Sequence, residues 1–196
     1  MAVPSASGVA RSHSDFAPGS MRFFRWVGLV GLGLACAGSR ERVPDAREFA
    51  QRFLTRVDSL HLEGIPNAAQ LQALASNLDP SLVDAFRRAA DAQAKFIAAH
   101  PDDKPPLIEG SLFSSLFEDP TGHSIVAVES RNDTTLVTIQ YVQGEAGKPD
   151  TVRWTDALLL RRTPSTFVVM DLEYRADWGF KPGPSLLTVL REEAKQ

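Results

Sequence analysis

The apolar positions of this chain follow two periods, and the change from one to the other divides its folded part. Phe49, Phe53, Val57 and Leu60 recur at helical spacing, and Ala50 and Leu54 widen the stripe. Pro44 suits the first turn of such a helix, with Asp45 and Glu48 at its positive dipole end. Gly64-Ile65-Pro66 breaks the pattern. Asn67 then predicts the cap of a shorter helix carrying Leu71, Leu74 and Leu78, and Asp79-Pro80-Ser81 starts a third helix. That helix offers Leu82, Phe86, Ala89, Ala90, Phe96 and Ile97 to a core, keeps Arg87-Arg88 on a solvated face and stops at Pro101. Residues 107–117 are apolar in places (Leu112, Phe113, Leu116, Phe117) and fit either a short helix or a segment folded over the core.

From His123 the pattern alternates instead. Strands are predicted at 124–130, 134–142, 151–162 and 166–175, separated by turns at Arg131-Asn132-Asp133 and Thr163-Pro164-Ser165 and by a loop at 143–150. Connections this short join antiparallel neighbours, so the strands predict a meander. Trp178-Gly179-Phe180 and Pro182-Gly183-Pro184 make an irregular crossing, after which Ser185 caps a short helix with Leu186, Leu187, Val189 and Leu190. Helices first and an antiparallel sheet afterwards define an α+β domain spanning 45–196.

The N-terminal region has a different character. Arg22 and Arg25 precede an uncharged run at 26–35, and the small residues Ala35, Ala37 and Gly38 lie at and beyond its end. A basic flank, a short apolar core and a small-residue cleavage zone make a signal peptide at 21–36. The run falls short of the roughly 20 apolar residues of a membrane span, and Gly28, Gly31 and Gly33 interrupt it. Leu32-Gly33-Leu34-Ala35-Cys36 resembles the lipobox of bacterial lipoproteins, which implies lipid attachment at Cys36; the departure is Gly33, where that pattern has leucine. Ala35-Cys36-Ala37 also fits cleavage after Ala37 and secretion as a soluble protein, and the plainest alternative is a buried N-terminal helix of the fold. Lipidation is the expectation, because it also accounts for the only cysteine, a residue that has no internal disulfide partner. Residues 1–20, rich in Ser, Ala, Gly and Pro, are expected to be a disordered extension or to lie upstream of a true start at Met21, and 37–44 a linker.

Charge narrows the partners. Setting aside Arg11, Arg22, Arg25 and Asp15 leaves 18 basic against 23 acidic side chains in residues 37–196, a formal charge of −5. A mildly acidic, interspersed surface argues against nucleic acid, which calls for a basic stripe. The four histidines, His13, His61, His100 and His123, make no metal-ligand spacing, and no nucleotide, calcium or hydrolase motif is present, so no metal or cofactor is implied. His61 and His100 are expected near helix C-termini, where positive charge is favoured.

Three helices before a four-stranded meander resemble the nuclear-transport-factor-2-like, or cystatin-like, α+β cone. Asp79-Pro80-Ser81-Leu82, Trp154-Thr155-Asp156 and Val169-Met170-Asp171-Leu172-Glu173-Tyr174 are similar to an uncharacterised family of bacterial exported proteins with that fold. The resemblance implies a pocket between helices and sheet, with no activity to carry over. Its candidate residues are Trp154, Asp156, Asp171 and Tyr174. A buried carboxyl beside a tyrosine is how ketosteroid-isomerase-like sites move protons. Against that, Asp156 and Asp171 can simply accept hydrogen bonds from backbone or from Arg153, Arg161 or Arg175 and pin the hairpin, which is the expectation. The sequence thus predicts an extracytoplasmic, membrane-tethered lipoprotein with no catalytic residues. Its domain would bind a small ligand, a cell-wall fragment or a partner protein. The alternative is an exported isomerase- or dehydratase-like enzyme using Asp156 and Tyr174.

Overall fold

Asp45 caps the first helix, α1 (Ala46–Ser59), accepting the Glu48 amide at 2.7 Å. It therefore stands just before the first turn rather than within it. The computed structural model describes residues 45–116, 118–145, 147–177 and 183–195. Pro44, Cys36 and the rest of the export segment, Phe117 and Trp178-Gly179-Phe180 lie outside these residues. Phe49, Ala50, Phe53, Leu54 and Val57 bury the predicted stripe of α1.

Asn67 opens α2 (Ala68–Leu74) with a capping box: it accepts the amides of Ala69 and Gln70, and Gln70 returns a hydrogen bond to the Asn67 amide. A 3₁₀ turn at Ala75–Asn77 leads to α3 (Pro80–Ala99), capped by Asp79 with Pro80 in its first turn. The predicted stripe of α3 holds only as far as Ala89; Ala90 and Phe96 are half-buried and Ile97 is 45% exposed. The reason is length. Past Ala89 the helix borders the end of α4 across a groove, where Phe96 and His100 stack with ring centres 4.7 Å apart.

The sheet runs β1 (Gly122–Arg131), β2 (Thr134–Gln143), β3 (Val152–Arg162) and β4 (Phe167–Glu173), each antiparallel to the next in sequence order. The predicted meander is therefore observed. Its inner face presents Val137, Ile139 and Tyr141 from β2, Trp154, Asp156, Leu158 and Leu160 from β3, and Val169 and Leu172 from β4, all buried. Ser185 caps α4 (Leu186–Glu193), which buries Leu186, Val189 and Leu190 and completes the predicted α+β order.

Residues 107–116 settle the one stretch left open by the sequence. They form no helix. The second half folds into the core, with Leu112 through Leu116 all buried, while Ile108 and Glu109 stay exposed. Gly64 makes room for the path: its backbone (φ +62°) donates to the Gly110 carbonyl at 2.7 Å, and a Cβ there would sit 2.2 Å from the Leu107 oxygen. Phe113 then wedges between the two long helices, 5.7 Å from the Phe53 ring of α1 and 5.9 Å from the Phe86 ring of α3.

Candidate functional site

The inward segment packs against Asp156 and Tyr174. Asp156 is wholly buried on β3 and is fully engaged. Its Oδ2 accepts the Ser115 amide at 2.8 Å, and its Oδ1 accepts both the Ser115 hydroxyl at 2.7 Å and the Arg175 amide at 2.9 Å. The two tyrosines hold the same segment by its carbonyls: Tyr141 donates to Phe113 O at 2.9 Å and Tyr174 to Leu112 O at 2.6 Å. Burial, with the nearby Asp156 charge, pushes both phenols well above their ordinary pKa of 10.0, so they are fixed donors at neutral pH. Trp154 stacks on Tyr141 with ring centres 5.5 Å apart. Of the expected donors, Asp156 takes the backbone, through the Ser115 and Arg175 amides, and the Ser115 hydroxyl adds a third bond that was not foreseen.

Asp171 does not join this group. The β3–β4 register shifts so that Leu160 pairs with Val169 but Leu159 pairs with Asp171. Simple alternation puts Asp171 on the face of Val169; one extra residue at this bulge turns it to the opposite face. There its Oδ1 accepts the Leu187 amide at 2.8 Å, which supplies a partner for the first turn of α4. The grouping of Trp154, Asp156, Asp171 and Tyr174 as one pocket is therefore corrected. Three of them brace a filled interior and the fourth caps a helix.

A cavity of about 270 Å³ opens elsewhere, at the C-terminal end of α1. Its floor is Leu54, Val57, Leu62, Phe113 and the Tyr141 ring, and Asp58, His61 and Asp119 stand around it with Thr121. None of Trp154, Asp156, Asp171 or Tyr174 lines it. Hollows of about 430 to 480 Å³ lie along α3 and α4 and beside residues 104–112, but mostly exposed or half-buried residues line them. The smaller cavity has the buried apolar floor that a retained ligand needs.

The electrostatics of this cavity centre on Asp58. Partial burial raises its carboxyl above the ordinary carboxylate pKa and the Asp119 charge raises it further, while His123 and His61 hold it down in part. His123, on β1, faces the Asp58 Oδ2 through Nδ1 at 3.4 Å and the Gln51 amide nitrogen through Nε2 at 3.1 Å. With Gln51 donating, Nε2 accepts and the ring proton sits on Nδ1, towards Asp58. Both ring nitrogens are thus occupied, and the side chain is only 9% exposed. The His123 ring can therefore orient the Asp58 carboxylate, and both of its nitrogens are engaged in doing so.

His61 ends α1 in the left-handed conformation (φ 44°), close to the position expected of it, and it also borders the cavity. His100 caps α3 as expected. Sequence reasoning missed Asp58, Asp119 and Tyr141. The spacing Asp58-x-x-His61 at a helix end, next to the buried Leu54 and Val57, was the available signal, since residues three apart share a helix face. Among the described residues, no group of three or more His, Cys, Asp or Glu side chains is placed to hold a metal, and no helix is long and apolar enough to cross a membrane.

The described residues thus define an α+β protein in which residues 112–116 are packed into the core, with a small, acid-rimmed cavity at the end of α1. No protein-family model, curated protein or solved structure matches the chain.

Proposed function

We propose that this chain is an exported protein tethered to a membrane through a lipid on Cys36, and that its folded domain is a binding module rather than an enzyme. The cavity beside Asp58 is the binding place. The observation that carries the reading is a division of labour. The only buried carboxylate beside tyrosines among the described residues, Asp156, has its carboxyl oxygens spent on Ser115 and Arg175, whereas the Asp58 cavity has an apolar floor and exposed carboxylates. Catalysis by Asp156 and Tyr174 would require expelling residues 111–116 from the core. The order of helices and meander supports the likeness to a nuclear-transport-factor-2-like cone, here closed by its own chain. The pattern of Arg22, Arg25, an uncharged run and Cys36 supports the tether.

Two measurements test the reading. Metabolic labelling with a palmitate analogue marks the wild-type chain and not Cys36→Ser; an unlabelled, freely soluble wild type outside the cytoplasm replaces the tether with cleavage after Ala37. Native mass spectrometry of the full chain detects a small molecule that is retained by wild type and lost from Thr121→Trp, which blocks the cavity rim. Retention unchanged in that variant removes the cavity from the reading.

A further inference from the structure

Resting on the binding reading above, we infer that the cavity takes a small organic cation with an apolar body, such as an amine on a short aliphatic or single-ring scaffold. Three features of the cavity converge on that class. Among the described residues, its charged side chains are the carboxylates Asp58 and Asp119, no lysine or arginine lines it, and His61 carries its only side-chain nitrogen. Its floor is hydrocarbon and aromatic, and the Tyr141 hydroxyl is already engaged with the Phe113 carbonyl. Its volume of about 270 Å³ suits a small molecule rather than a polymer segment.

The physical chemistry selects against the other charge types. An anion would meet two carboxylates with only the His61 and His123 imidazoles nearby to offset them. A neutral apolar molecule would cover the floor but strip water from Asp58 and Asp119 without replacing its hydrogen bonds. A cation offsets both penalties, and its N–H groups can bridge the two carboxylates. Asp58 already shows the strain a cation would relieve, since burial and Asp119 raise its pKa despite His123 and His61. The groups facing it are His61 beyond the end of α1, His123 on β1 and Asp119 just before β1. Protonating Asp58 removes half of the attraction. Affinity for a cation therefore falls as pH drops, from a higher pH than an ordinary aspartate would set.

The test is an NMR titration of the full chain, in low salt to limit screening, with three single-ring probes of matched size: benzylamine, benzyl alcohol and benzoate. Benzylamine is expected to bind best, and Asp58→Asn and Asp119→Asn are each expected to weaken it about two- to fivefold, as for partly exposed ion pairs. Thr121→Trp, with its fold checked by circular dichroism, is expected to block it. If benzyl alcohol or benzoate binds as well as benzylamine and Thr121→Trp blocks it, the cation inference is overturned while the binding reading stands. If no probe binds, or Thr121→Trp changes nothing, both fall.

Discussion

Two regions of this fold hold a carboxylate near Tyr141, and they differ in what the surrounding groups are already doing. At the sealed end, Asp156 is wholly buried and accepts three hydrogen bonds, two from Ser115 and one from the Arg175 amide. At the open end, the Asp58 carboxylate faces the His123 ring at a longer 3.4 Å, and its side chain is 55% exposed. Residues 111–116 make the difference, because their inner side binds Asp156 while Phe113 and Ser114 line the cavity. A carboxylate and a tyrosine do not by themselves make a site. Whether their hydrogen-bonding capacity is already used decides it.

Substitutions sharpen that contrast, and the largest effect belongs to the sealed end. Asp156→Asn presents an amide N–H₂ to buried donors and is expected to lower stability by about 2–4 kcal/mol in urea unfolding. A loss below about 1 kcal/mol would mean that Asp156 is not what holds residues 111–116. Asp79→Ala comes next. It removes the α3 cap, where Asp79 accepts the Ser81 amide at 2.9 Å and the Arg161 guanidinium, for about 1–2 kcal/mol. Burial pushes the Asp79 carboxyl up, but the bonds from Arg161 and Ser81 outweigh it and hold the pKa below its ordinary value of 3.8. The stability that Asp79 adds is therefore present above the unfolded-state pKa and fades as pH falls through the lower folded value. Wild type and Asp79→Ala should converge in acid; a gap unchanged with pH would show the cap acting without its charge. Asp58→Asn is the smallest. It should leave stability within about 0.5 kcal/mol of wild type, as expected at an exposed position. A loss above about 1 kcal/mol would make Asp58 structural as well, and erase the contrast.

The elements were legible where local chemistry decides them. Asn67, Asp79 and Ser185 cap the helices predicted from them, and the predicted strands match the observed ones to within a few residues. What escaped was set by contacts distant in sequence. The inward path of residues 111–116 depends on Gly64 and on Asp156, some 45 residues away on either side, and no periodicity records such a meeting. Asp171 was misplaced because a bulge shifts the register by one residue, and two-residue alternation carries no trace of that shift. The cavity as a whole escaped for the same reason: beyond the Asp58-x-x-His61 spacing, Asp58, Asp119 and Tyr141 come from three separate parts of the chain, and only the fold assembles them.

The central claim is that the interior is sealed by residues 111–116 and is not a transiently open pocket. Native-state hydrogen exchange at the Ser115 and Arg175 amides, both donors to Asp156, tests it most directly. The account predicts that these amides exchange only through global unfolding, with a protection free energy equal to that from denaturant melts and reduced in parallel by Asp156→Asn. Exchange through a local opening well below the global value, with the core strands still protected, would contradict it and return the Asp156–Tyr174 pocket to consideration.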